Sequence, residues 1–183
     1  MLIALSGYAR SGKNTAAQFL VDDRGYKDIA FADVLRECVM ALDPIVDSSG
    51  LRYKQALLEF GYEESKVLFP EVRSVLQRMG TEVGRNILGE NIWVELTMGK
   101  IMDDPAQKNW VITDCRYPNE YNAVNMAGGA NVRIVRPGYQ PANEHASERA
   151  LDEHDFDAWI INDGSIEALM EEVMCTVDEV ESV

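Results

Sequence analysis

The sequence has little of what most hydrolytic and metal chemistry draws on: two histidines and three cysteines in 183 residues. Cys38, Cys115 and Cys175 show no paired or metal-ligand spacing, which argues against a disulfide framework or a zinc ribbon and fits reduced thiols. Neither histidine stands in a Ser-His-Asp or Cys-His arrangement, so no nucleophilic triad is expected. No apolar run reaches the roughly 20 residues of a membrane-spanning helix. The opening MLIALSG carries no basic leader, so no secretory signal is expected and the compartment reads as cytoplasmic. Internal repeats, low-complexity tracts and linkers are missing too, and a single domain over 1–183 is the expectation.

Basic residues are absent from one whole region. Residues 151–183 hold eleven Asp or Glu and no Lys or Arg, which reads as a solvated acidic face. The first 150 residues hold 20 acids and 17 bases, a net of −3 against −14 for the chain. That balance excludes broad coating of nucleic acid, which needs a basic face. Eleven of the bases are Arg, the side chain suited to bidentate phosphate contacts, so a small phosphate site in the near-neutral body is expected.

What is present is an alternation of short apolar runs and helical patterns. Leu2–Ser6, Asp28–Phe31, Trp110–Thr113, Val132–Val135 and Ala158–Ile161 read as strands. Thr15–Val21 and Val34–Leu42 read as helices. Leu51–Met102 reads as several helices broken near Gly61, Pro70 and Gly89. A helix with Pro118 in its first turn ends at Gly128-Gly129. The last helix carries Ile166, Leu169, Met170, Val173, Met174, Val177 and Val180 as one apolar stripe. The pattern predicts an α/β fold of three layers, a parallel sheet of about five strands with helices on both faces.

One motif stands out, the GxxxxGK pattern Gly7-Tyr8-Ala9-Arg10-Ser11-Gly12-Lys13, followed by Asn14 and Thr15. It follows an apolar strand and opens a helix, the context in which glycines let backbone N–H groups wrap phosphate oxygens. Gly7, Arg10, Ser11, Gly12, Lys13, Asn14 and Thr15 are the candidate nucleotide-binding residues. Lys13 would neutralise charge on the β- and γ-phosphates of ATP during transfer. Asn14 stands where a hydroxyl often holds Mg²⁺, and the hydroxyl comes one residue later at Thr15. Asn14 could ligate Mg²⁺ through its carbonyl or through water, and the sequence leaves open whether it does. Trp110-Val111-Ile112-Thr113-Asp114 is an apolar strand ending in Asp, so Asp114 joins Asn14 and Thr15 as a candidate for orienting Mg²⁺. Arg116, two residues on, either contacts an acceptor phosphate or pairs with Asp114 or Glu120.

The segments GYARSGKNT, FADVLRE, GTEVGRNILGENIWV, ITDCRYPNE, VRIVRPG, HASE and INDGSIEAL occur in order between residues 3 and 169. In this the chain resembles the deoxynucleoside monophosphate kinases encoded by bacteriophages, P-loop kinases in fold. The resemblance implies transfer of the ATP γ-phosphoryl to a deoxynucleoside monophosphate in the host cytoplasm. It implies that Phe31, Asp33 and Arg36 line the monophosphate pocket within a helical region of about 32–100, with Arg85 on the acceptor and Trp93 packing nearby. Arg116 and Glu120 would lie over the reacting centre. Arg136, His145, Ser147, Glu148 and Arg149 would belong to a lid-like loop of about 137–157, with Arg149 among the catalytic cations. Asn162, Asp163 and Gly164 would pass the donor adenine. Dephospho-coenzyme A kinases are broadly similar at the loop and at NDGS and supply the alternative acceptor; a nucleotide-driven switch or motor subunit is the alternative of another class. Partners are expected to be small nucleotides, with no nucleic acid and no membrane; oligomeric state stays open, a homodimer included.

Overall fold

The computed structural model describes residues 1–139 and 149–182. Five strands form one sheet: β1 (Leu2–Ser6), β2 (Lys27–Ile29), β3 (Trp110–Ile112), β4 (Ala130–Val135) and β5 (Ala158–Ile161). Their order is β2-β3-β1-β4-β5 and every pairing is parallel. The helices are α1 (Lys13–Arg24), α2 (Phe31–Leu42), α3 (Tyr53–Phe60), α4 (Tyr62–Leu68), α5 (Pro70–Gln77), α6 (Ile92–Met102), α7 (Pro118–Met126) and α8 (Ile166–Glu181). Between α5 and α6 the chain winds as a π-helix over Arg78–Leu88. The expected α/β architecture is the observed one.

By packing the chain divides into two compact units, Met1–Phe31 with Met98–Val183, and Ala32–Thr97. In the first, β1 lies at the sheet's centre with all five residues buried, as its unbroken apolar run requires. Ile3, Leu5, Val132, Ile134 and Ile160 face α1 and α8, meeting Leu20, Leu169, Val173 and Val177. The opposite face, against which α7 packs, is partly polar: Ser6, Asn131 and Arg133 are all buried there. The chain leaves β1 toward β2 on one side and leaves β4 toward β5 on the other. The carboxyl ends of β1 and β4 therefore flank the topological switch point, where open parallel sheets bind ligands.

Two local expectations change. The second strand ends at Ile29, and Phe31 opens α2 because its N–H donates to Asp114 Oδ1 at 2.7 Å, so the apolar Phe31 starts a helix instead of ending a strand. Ile166 is not in the α8 core stripe; it lies in the first turn beside the Ser165 cap and is 66% exposed. Thr176 takes a buried place on that face.

The second unit centres on a smaller cluster of Val39, Val46, Tyr53, Ala56 and Val72. Its helices break at Gly61, before Pro70 and at Gly89. The π winding shows in the bond from Gly89 N–H to Gly84 O, five residues back. Glycine is required here: a Cβ on Gly84 would stand 2.3 Å from Trp93 Cζ2. The indole lies against that bare backbone and its Nε1–H donates to Gly80 O at 2.9 Å. GTEVGR is thus a docking surface for Trp93, which is 4% exposed.

Candidate active site

The loop between β1 and α1 is built by steric necessity. At Gly7, with φ +140°, a Cβ would come 2.3 Å from Ile134 O, so only glycine lets the end of β1 lie against β4. Gly12, φ +109°, stands as close to the Asn162 amide and starts α1. Arg10 takes φ +65°, a left-handed conformation unusual for a side chain of its size. Strain of this kind persists where neighbours over-determine the backbone. One such neighbour is Asn162: its N–H donates to Val135 O at 2.8 Å and its Nδ2 donates to Ser11 O at 2.8 Å.

Lys13 is buried, and its Nζ donates to Gly7 O at 2.7 Å and Tyr8 O at 2.9 Å. The ammonium is thereby stored on the loop's own carbonyls, next to where phosphate oxygens would enter. Ser11 Oγ is buried with no hydrogen-bond partner among the described residues. An orphaned hydroxyl in a glycine loop suits an incoming anionic oxygen. Asn14 and Thr15 are exposed in the first turn of α1.

Asp114, just beyond β3, accepts the Phe31 N–H and so ties the start of α2 to the strand edge. Glu120 is buried and its Oε2 accepts the N–H groups of Arg116 at 2.7 Å and Tyr117 at 3.0 Å, capping α7. The Cys115 thiol, between these carboxylates, is pushed well above its ordinary pKa by burial and then by Glu120 and Asp114, which leaves it inert.

A buried polar network adjoins the loop. Arg133, opposite Ser6 in the β1–β4 register, donates from Nη1 to Ser6 Oγ at 3.0 Å and from Nη2 to Asp152 Oδ1 at 2.6 Å. Its guanidinium carbon lies 5.0 Å from the Tyr8 ring centroid and 5.5 Å from that of Phe156. The Tyr8 hydroxyl donates to Asp152 Oδ2 at 2.9 Å. Burial, and after it the bond to Asp152, raises the Tyr8 pKa above its ordinary value. Tyr8, Arg133 and Asp152 line a cavity of about 240 Å³ with Ser11, Arg136, Tyr139 and Trp159. Arg136 itself is exposed and stacks 4.7 Å from the Tyr139 ring centroid. Sequence reasoning missed Tyr8, Arg133 and Asp152. The available signal was a charged residue at the centre of the apolar run NVRIV, where a strand buried on both faces has no place for one.

In the helical unit, Asp33 accepts from Arg36 Nη1 at 2.7 Å, and Arg36 stacks on Tyr62 with 4.9 Å from its guanidinium carbon to the ring centroid. Arg85 is half-buried in the π-helical segment. Arg149, Asp163 and Gly164 are exposed in the sheet unit. His145, Ser147 and Glu148 lie outside the described residues. Among the described residues no cluster of three or more His, Cys, Asp or Glu could hold a metal ion, and no helix is long and apolar enough to cross a membrane.

Residues 62–173 match the family model described as deoxynucleotide monophosphate kinase. A putative deoxynucleotide monophosphate kinase of Acanthamoeba polyphaga mimivirus is 28% identical over 97% of this chain and 96% of its own length. The deoxynucleoside-5'-monophosphate kinase of Escherichia phage T5 is 38% identical over 59% of this chain, and that of Enterobacteria phage T4 is 30% identical over 58%. The matched stretch spans under half of either phage enzyme, 46% and 45%. Among solved structures, dephospho-CoA kinase from Campylobacter jejuni shares the fold, with a TM-score of 0.53 at 15% identity over 99% of this chain and 97% of its own. With a parallel sheet, a glycine loop at its switch point and a family match across more than half its length, the chain belongs to the deoxynucleotide monophosphate kinase family of P-loop kinases.

Proposed function

We propose that the chain transfers the γ-phosphoryl of ATP to a deoxynucleoside monophosphate, giving ADP and the diphosphate. The observation that carries this reading is Lys13, a cation kept almost dry on the carbonyls of its own loop. Loading the site exchanges those two bonds for bonds to phosphate oxygens, so the charge needs no fresh desolvation and little reorganisation. Loop N–H groups and the positive end of α1 hold the donor phosphates.

The acceptor is already an anion, so transfer needs no strong base and no nucleophilic side chain. An acceptor oxygen bonds to the γ-phosphorus while the bond to the bridging oxygen breaks, and ADP departs with that electron pair. The difficulty is bringing two polyanions together, which calls for converging cations. By resemblance Arg36 and Arg85 take the acceptor phosphate, Arg116 and Arg149 the transferring group, and Phe31, Asp33, Trp93 and Glu120 shape or support the pocket. Asn162 supports the loop from behind, and with Asp163 and Gly164 it is assigned the turn beside the donor adenine. Arg136 borders, and His145, Ser147 and Glu148 lie within, the segment of about 137–157, proposed to close over bound substrates and exclude water as a competing nucleophile.

Mg²⁺, when bound, would offset the negative charge of the donor phosphates. The residues suit an ion that arrives with the nucleotide and keeps its waters better than one held in a protein cage. Thr15, Asn14 and Asp114 are proposed to hold it, partly through water. The virus and phage relatives support work in a host cytoplasm.

The test is ADP release with ATP and Mg²⁺ against dGMP, dTMP, dCMP, dAMP, their ribonucleotides and dephospho-coenzyme A. Turnover on one or more deoxynucleotides is expected. Silence on all of them, or turnover on dephospho-coenzyme A alone, would overturn the acceptor assignment.

A further inference from the structure

Arg133 is out of place by any stability argument. Its side chain is 8% exposed in β4, beside the central strand of the sheet. A guanidinium cannot shed its charge, and desolvating it is repaid only when a partner and further hydrogen bonds complete it. The fold supplies them: Asp152 Oδ1, Ser6 Oγ and two aromatic faces. Even so, apolar side chains of similar volume would hold the same strand at least as firmly. The consequence of the ion pair is therefore geometric, and the second oxygen of Asp152 points to it.

That oxygen accepts the Tyr8 hydroxyl. Tyr8 is the second residue of the phosphate loop, and its side chain is held twice, by its ring against the guanidinium and by its hydroxyl on the carboxylate. Its backbone carbonyl in turn accepts Lys13 Nζ at 2.9 Å and the Ser11 N–H at 3.2 Å. A continuous path of contacts thus runs from Asp152, through Tyr8, to the lysine and the serine that face the phosphates. An apolar pair at 133 and 152 would pack, but would leave the Tyr8 hydroxyl unanchored and the loop free to choose other shapes.

We propose that Arg133, Asp152 and Tyr8 form a latch that fixes the phosphate loop and so sets the affinity for the donor nucleotide. They are positioning residues, since none is assigned a contact with the reacting atoms. The inference rests on the reading of Gly7–Thr15 as the donor phosphate site, and not on the identity of the acceptor.

The measurement is calorimetric binding of ADP with Mg²⁺ to the full chain, beside steady-state kinetics and melting curves. Tyr8→Phe, which deletes one hydroxyl and keeps the ring, should weaken ADP by ~3–10-fold, the size of one typical net hydrogen bond. KM for ATP should rise by a similar factor, with kcat and the acceptor KM moving less than ~2-fold. The double variant Arg133→Met with Asp152→Leu should melt no lower than the wild type yet bind ADP more weakly than Tyr8→Phe. Tyr8→Phe combined with Asp152→Asn should cost no more than the larger single effect, because Asp152→Asn already removes the charged acceptor on which the Tyr8 hydroxyl acts, along with its pairing to Arg133. Wild-type ADP affinity in Tyr8→Phe, or full additivity in the combined variant, overturns the latch. If the apolar pair does not fold, Tyr8→Phe decides alone. ADP binding with no turnover on any monophosphate would refute the acceptor assignment while leaving the latch readable. A wild type that binds no ADP would refute both.

Discussion

The sheet unit and the helical unit solve their packing problems differently. The sheet unit buries polar groups and, Ser11 Oγ apart, pairs its main ones: Arg133 with Ser6 and Asp152, Asn162 with Ser11 O, Glu120 with the start of α7. Such networks cost stability relative to an apolar core, and they return one defined geometry. The helical unit has a small aliphatic core and leaves Leu58, Val67 and Ile87 each more than 70% exposed. Its tightest fit is a single indole against two glycines. Its candidate arginine, Arg36, is held by a carboxylate three residues earlier and by a tyrosine ring, both half-buried. On the proposed assignment, the first unit would fix the loop for donor phosphates and the second would present its side chains to the acceptor.

The hardest test of that contrast is Lys13→Ala. It should cut turnover by about 10³-fold or more, as loss of a transition-state cation does; turnover within tenfold of wild type would remove the loop from the mechanism. Arg36→Ala should act on the other side. On the proposed assignment it would remove a charge-assisted hydrogen bond to the acceptor phosphate, so the monophosphate KM should rise about 10–100-fold with the ATP KM nearly constant. A rise in the ATP KM instead would mean that the two units do not divide the substrates as argued. Gly84→Ala forces a methyl into the indole and should destabilise the chain by about 2–3 kcal/mol in denaturant titrations. An unchanged midpoint would show that Trp93 is loosely held.

The smallest effect separates the two units by pH. Burial pushes the Tyr53 hydroxyl of the helical unit from an ordinary 10 up to about 12. Below pH 10 the folded and unfolded chains both keep this proton, so its contribution is constant. Between 10 and 12 the unfolded chain ionises first, and stability falls as pH rises. Tyr53 Oη has no hydrogen-bond partner among the described residues, so Tyr53→Phe should change stability at pH 7 by no more than about 1 kcal/mol while flattening that alkaline slope. Tyr26 of the sheet unit is also raised, by burial and by its bond to Glu181 at 2.7 Å. Tyr26→Phe should therefore lower stability at pH 7, where Tyr53→Phe does not. Equal behaviour in chemical denaturation at pH 7 and 11 would erase the distinction.

Much of the fold is legible in the sequence because parallel strands are short, nearly unbroken apolar words: LIALS, WVIT and AWII stand within a residue of the observed strands, although AWII at the sheet's edge buries only Ile160 fully. The glycine loop is legible because its spacing is a steric requirement, met at Gly7 and Gly12 by the close approach of Ile134 and Asn162. Phe31 reads as strand on paper because an apolar residue after a strand looks like its continuation. What ends the strand is a carboxylate 83 residues later. Ile166 reads as core because an apolar stripe on paper extends to the helix's first turn, whereas the sheet beneath it does not.

The sequence by itself determined the alternation of strands and helices, the phosphate loop, and the family, because these depend on local periodicity, local sterics and ordered motifs. Only the tertiary structure decided that Lys13 rests on its own loop, that Trp93 answers to Gly80 and Gly84, and that Arg133 reaches Tyr8 through Asp152. Those pairings join residues up to 144 positions apart. A charged or aromatic residue advertises that it needs a partner when buried, but which partner it finds is fixed by register and packing, which no single stretch of chain encodes.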